Sequence, residues 1–145
     1  MVQPTPERLA FALVCAVFAG RLVLADDTTK ISAEEARKLK NPIAYSRKSI
    51  ADGRAIFVRN CASCHGSDGK AQVDVVADAT DLTSPKLWKS GTSDGEIYRS
   101  IHDGAGETMP PFKAQLGSHE LWNLVNFIRS LWPESTRPPL AKEGN

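Results

Sequence analysis

Cysteine, methionine and long apolar runs are all scarce in this chain. Three cysteines occur in 145 residues, at 15, 61 and 64, and beyond the first residue methionine appears once, at Met109. So few thiols exclude a disulfide-dense scaffold, in which several bridges replace a small core. An excess of one charge is also missing: 18 basic and 17 acidic residues give a net charge of +1. That balance offers no electrostatic ground for binding nucleic acid or an anionic membrane surface. The period-two alternation of strands is absent, as are internal repeats and low-complexity tracts.

The longest uncharged apolar run, Leu9 to Gly20, has twelve residues and stops at Arg21. A membrane-crossing helix needs roughly 20. With Arg8 before it and Val23-Leu24-Ala25 after it, the run reads as the core of an export signal over residues 1–25, cleaved after Ala25. Cys15 then belongs to the signal. Leu13 and Val14 stand before it where a lipoprotein site would have small residues. Removing the signal takes away Glu7, Arg8 and Arg21 and leaves 16 basic and 16 acidic groups. The expected location is the periplasm. The charge is uneven, with eight basic and five acidic groups in residues 26–60 against four and eight in 66–112. Such asymmetry gives either a dipole that orients a partner or ordinary solvated faces.

The two remaining cysteines stand in Cys61-Ala62-Ser63-Cys64-His65, a C-x-x-C-H pattern. On one helical turn two thiols at this spacing reach both vinyl groups along one side of a porphyrin and form thioethers. The adjacent imidazole then projects towards the metal as a proximal iron ligand. Other readings of the thiols account for less. A structural zinc site wants a second ligand pair at a distance, a redox pair wants a strand–helix–strand context, and a disulfide leaves His65 unexplained.

Four helical segments are predicted. Ser32-Ala33-Glu34-Glu35 is a capping box opening a short polar helix that ends at Asn41-Pro42. Ser49 opens the next helix, with Ile50, Ile56, Phe57 and the cysteines facing inward. Ser93-Asp94-Gly95-Glu96 repeats the capping box, and Ser118 caps a last helix whose apolar positions run from Leu121 to Trp132, with Pro133 as the stop. Residues 66–89 and 102–117 are rich in Gly, Pro, Asp, Ser and Thr and read as loops. Residues 26–48 form an N-terminal extension, 49–133 the main domain, and 134–145 a polar, loosely held tail. Long loops in so small a domain need an organiser. An apolar haem face can take the place of the missing core.

A haem needs a ligand on its other face. Met109 lies 44 residues after His65 and is followed by Pro110 and Pro111, which stiffen a segment holding a flexible thioether. His102, after an apparent helix end, and His119, in a first helical turn, are its rivals.

These residues together resemble the class I (monohaem) c-type cytochromes, from about Ile50 to Trp132. Gly53 and Phe57 are similar to positions in that family's N-terminal helix. Leu124-Val125-Asn126-Phe127-Ile128 is similar to its C-terminal helix, and Met109-Pro110-Pro111-Phe112 to its axial loop. The resemblance implies an all-α cytochrome c fold, first and last helices crossing at a Gly53–Phe127 contact, and one covalent haem c. Many members fix the proximal imidazole with a proline carbonyl soon after the motif. Here Lys70-Ala71-Gln72-Val73-Asp74 follows Gly69 and the first later proline is Pro85, so the acceptor for His65 has no obvious candidate. Trp88 is either a partner for a haem propionate or a structural tryptophan.

The expectation is an exported electron carrier without enzymatic activity. Cys61 and Cys64 form the thioethers, and His65 and Met109 are the two iron ligands. Its partners are a redox donor and acceptor met transiently, with no small-molecule substrate and no nucleic acid. The alternative within electron transfer is a haem c subunit of a periplasmic dehydrogenase or a membrane-associated respiratory oxidase, with residues 26–48 and the tail as docking elements. A third reading, a haem enzyme or gas sensor, requires that Met109 leave the iron open.

Overall fold

The computed structural model describes residues 30–71 and 79–142; the export signal and cleavage point expected from the sequence lie outside them. Five α-helices follow in order: α1 (Ala33–Lys38), α2 (Arg47–Asn60), α3 (Ala62–His65), α4 (Asp94–Asp103) and α5 (Ser118–Leu131). Short 3₁₀ turns occupy Pro85–Leu87 and Glu134–Thr136. Among the described residues there is no strand, only an isolated bridge between Ala105 and Met109. The all-α expectation holds.

The helix starts follow local chemistry. Ser32 and Ser93 each accept a hydrogen bond from the amide three residues on, while Glu35 and Glu96 each accept one from the cap amide. Two starts differ from the expected ones. Helix α2 begins at Arg47, capped by Ser46, and Ser49 sits a turn inside it, trading bonds with Ser46. Helix α5 is capped at Gly117, whose N–H donates to Glu120. Ser118 instead accepts the Tyr98 hydroxyl.

Helix α5 is the centre of the molecule. Every residue from Leu121 to Ile128 is buried, so it is covered on all sides rather than along one stripe. Against one side lies α2. A Cβ on Gly53 would come 2.1 Å from the Asn123 carbonyl oxygen and 2.8 Å from Phe127 Cβ. The crossing therefore rests on the Asn123 backbone as much as on the expected Phe127 contact. One turn on, the Phe57 and Phe127 rings meet with centroids 4.9 Å apart. Helix α4 covers another side, stacking Tyr98 on Trp122 at 4.1 Å.

The N-terminal extension completes the enclosure. Helix α1 packs on α4 where a Cβ on Gly95 would stand 2.0 Å from the Ala36 carbonyl oxygen. Buried Asn126 then fastens the following segment. Its amide donates to the carbonyls of Ile43 and Ala44 and to Ser49 Oγ, and its carbonyl oxygen accepts from Asn41. A fully satisfied buried amide of this kind specifies one arrangement of its neighbours. As far as Lys142, the tail is tied down rather than loose. Arg137 Nε donates to the Trp132 carbonyl, and the Ala141 N–H donates to the Tyr45 carbonyl at 2.8 Å.

Two outcomes follow. Gly53→Ala should lower the stability of the assembled protein by about 1–3 kcal/mol, the range for overpacking a close contact, measured as a fall in Tm. The Ser93 N–H and hydroxyl hold the Glu96 carboxyl below its ordinary value. Their contribution is complete above a pH of about 4 and is lost as pH falls through the lowered folded value. Glu96→Gln should therefore flatten the acid limb of the Tm–pH profile.

Candidate haem site

The short turn α3 and the end of α2 present Cys61, Cys64 and His65 to a cleft of about 530 Å³. That volume lies in the range of cofactor pockets. Phe57, Ile101, Leu124 and Ile128 line it from three helices, and Leu82, Trp88, Met109 and Phe112 line it from the loops. Both motif cysteines, His65 and Met109 thus share one cavity. His102 and His119 do not border it. His102 is buried in the last turn of α4, bonded through Nδ1 to Asp103 and stacked on Tyr98. His119 is exposed and pairs with Asn123.

The partner of His65 is a backbone carbonyl that no side-chain reading of the sequence points to. His65 Nδ1 lies 3.0 Å from the Thr80 carbonyl oxygen. A carbonyl can only accept, so the ring proton sits on Nδ1 and the Nε2 lone pair is left for a metal. Thr80 is held in turn through Leu82, two residues on. The Leu82 N–H donates to the Gly69 carbonyl at 2.7 Å, and Trp132 Nε1 donates to the Leu82 carbonyl at 3.0 Å. The imidazole is oriented by a chain running from the haem motif's own loop to the end of α5.

Met109 sits in a hairpin closed at its base. The Ala105 N–H donates to the Met109 carbonyl at 3.2 Å, and the Met109 N–H to the Ala105 carbonyl at 3.3 Å. Gly104 has a φ of 80°, and a Cβ there would approach the Met109 carbonyl oxygen to 2.6 Å. Only glycine suits both the left-handed backbone and that approach. Past the prolines, the Phe112 and Lys113 amides donate back to the carbonyls of Ile101 and His102.

The chemistry of the cysteines fits thioether formation better than a thiolate role. Burial, with a smaller push from Cys64, drives the Cys61 thiol up to about 12, so as a free side chain it is an uncharged, apolar part of the wall. Among the described residues, no group of three or more His, Cys, Asp and Glu side chains is disposed to hold a metal ion. A second observation matches a porphyrin. Trp88 borders the cleft, and its buried Nε1–H has no acceptor among the described residues. A buried donor left unpaired costs about 1–3 kcal/mol, and a propionate oxygen is the acceptor such a cofactor would bring.

This architecture is shared with solved structures. Cytochrome cL from Methylophaga aminisulfidivorans superposes with a TM-score of 0.58 at 18% identity, covering 76% of this chain and 72% of that one. A chain of the reducing HAO-like protein complex of Kuenenia stuttgartiensis gives a TM-score of 0.56 at 25% identity, over 63% and 47% of the two chains. The fold is that of the class I c-type cytochromes. A family model described as cytochrome c oxidase, cbb3-type, subunit III, matches residues 48–128, and the chain belongs to this family of c-type cytochromes. The FixP subunit of Bradyrhizobium diazoefficiens cbb3-type oxidase is 28% identical over 109 residues, which are 75% of this chain and 37% of FixP. The CcoP subunit from Rubrivivax gelatinosus is 31% identical over 90 residues, 61% and 28% of the two chains. This chain therefore spans about a third of the length of these relatives. Membership carries haem c as the cofactor.

Trp88→Phe gives a sign test of the fit. If the indole N–H meets a propionate, the substitution lowers the stability of the haem-loaded protein by about 1 kcal/mol. If the donor stays orphaned when the haem is in place, the same substitution raises it.

Proposed function

We propose that the chain is an exported, single-haem electron carrier rather than an enzyme, with Cys61 and Cys64 as the covalent attachment points and His65 and Met109 as the iron ligands. The observation that carries this reading is the joint presence in one apolar cleft of both cysteines, a histidine with its Nδ1 proton committed to Thr80, and the loop methionine. Bound haem would supply the one-electron couple. The protein's part is to hold two ligands whose positions do not depend on the charge of the metal. His65 is oriented through Thr80, and Met109 through main-chain bonds to Ala105. Neither anchor needs to break when an electron arrives, and with both ligands bound no position remains for a substrate. The apolar walls disfavour the extra positive charge of the oxidised state, and a thioether ligand acts in the same direction on the potential.

Family membership supports a second reading, in which this domain is the haem c subunit of a larger respiratory assembly. In both readings the working location is the periplasm and the partners are a protein donor and a protein acceptor. Among the described residues no helix is long and apolar enough to cross a membrane. Residues 30–46 pack on their own domain, through the contact of Gly95 with Ala36 and the bond from Asn41 to Asn126.

The haem should survive acid–acetone extraction and give a pyridine haemochrome spectrum for two thioethers. Met109→Ala should abolish the methionine–iron charge-transfer band and raise the affinity of the reduced protein for carbon monoxide by at least about tenfold, a shift of about 1.4 kcal/mol. An unchanged spectrum in that variant would remove Met109 from the iron. Size exclusion of native extract separates the two readings: a small discrete haem protein supports the carrier, co-migration with an oxidase or dehydrogenase the subunit.

A further inference from the structure

The base of the Met109 loop is tied to a buried carboxylate. Asp103 is the last residue of α4, one position before the loop begins, and its side chain is only 7% exposed. Three donors from three parts of the chain converge on it. The Ile31 N–H of the N-terminal extension donates to Oδ2 at 2.7 Å. On Oδ1, His102 Nδ1 donates at 2.8 Å and the Lys113 ammonium at 3.3 Å. Burial alone would push this carboxyl up, but the bonds from Ile31, His102 and Lys113 outweigh it and hold the group below its ordinary value, ionised. His102 is itself fixed, its ring stacked on Tyr98 and Tyr98 on Trp122 of α5.

The geometry closes a ring. Lys113 returns to the end of α4 twice, with its amide to the His102 carbonyl at 3.2 Å and with its ammonium to Asp103. The ten-residue segment so closed, 104–113, contains Met109. A loop closed at both ends has already lost the entropy that a free one would regain by drifting off a weak ligand bond. Resting on the assignment of Met109 to iron, we propose that Asp103 is the positioning residue for that ligand. It couples the N-terminal extension to the distal side of the haem.

The carboxylate joins donors in three segments, so its loss should loosen the loop without unfolding the helices. Asp103→Asn keeps the shape but removes the charge that draws Lys113, and it sets an amide group against a fixed donor. Charge-assisted bonds of this kind are roughly twice as strong as neutral ones. In the haem-loaded Asp103→Asn protein, carbon monoxide affinity of the reduced form should rise about tenfold. The charge-transfer band should fade at a lower temperature, ahead of the loss of helical circular dichroism. Asp103→Glu, which keeps the charge, should recover part of both.

A helical, haem-loaded Asp103→Asn protein with wild-type carbon monoxide affinity overturns the proposal. Should that variant fail to accumulate, Lys113→Met decides: it leaves Asp103 its other two donors, and a raised affinity supports the proposal while an unchanged one defeats it. Met109→Ala is run beside them. If it too matches the wild type, the ligand assignment has failed; if it alone differs, only the role of Asp103 has.

Discussion

Two helix backbones touch at Gly53, and the rest of the molecule is arranged around that touch. With the Asn123 carbonyl of α5 sitting where a side chain on Gly53 would begin, α2 and α5 are set at one separation and in one register. This fixes where α2 ends, and its end is where the thiol pair and His65 start. It also fixes which residues of α5, Leu124 and Ile128, look into the cleft. A glycine at the crossing thus sets the position of the haem motif relative to the far wall of its own cavity.

Much of the described loop structure is organised by bonds to main-chain groups near the cleft. Gly69 to Leu82, Leu82 to Trp132, Ala105 to Met109 and Lys113 to His102 are all backbone-directed ties that bring distant loop segments to the cavity. A porphyrin would supply the apolar surface those loops lack. That division gives the described parts of the Gly- and Pro-rich segments a common organiser. It also means that the packing of the loops and the environment of the iron are one problem.

The features legible in the sequence were those carried by side-chain identity at fixed spacing. The thiol pair with its histidine, two of the capping boxes, the apolar run of α5 and the methionine before two prolines were all visible. What stayed hidden was carried by the backbone or by tertiary burial. The Thr80 carbonyl has no side-chain signature. Gly95 reads as an ordinary member of a capping box, yet it is the contact that lets α1 lie on α4. Asn126 sits in an apolar run where its polarity is the clue to a partner, but nothing in the run says that the partner is the segment 41–44. His102 looked like a rival ligand because its spacing after a helix is reasonable; its burial against Tyr98 and its bond to Asp103 arise only on folding. The family match, residues 48–128, likewise leaves out the extension and the tail, both of which the structure ties to the domain.

The proximal acceptor being main chain has an evolutionary corollary. Any amino acid at position 80 offers the same carbonyl oxygen, so the contact that orients the imidazole is indifferent to point substitution there. It is sensitive instead to the spacing between residue 80 and Leu82, because the Leu82 N–H bond to the Gly69 carbonyl pins that end of the loop and so sets which carbonyl arrives opposite the ring. A residue inserted or deleted between 80 and 82 should therefore disturb the imidazole more than a change of side chain at 80, the reverse of what a side-chain ligand leaves behind.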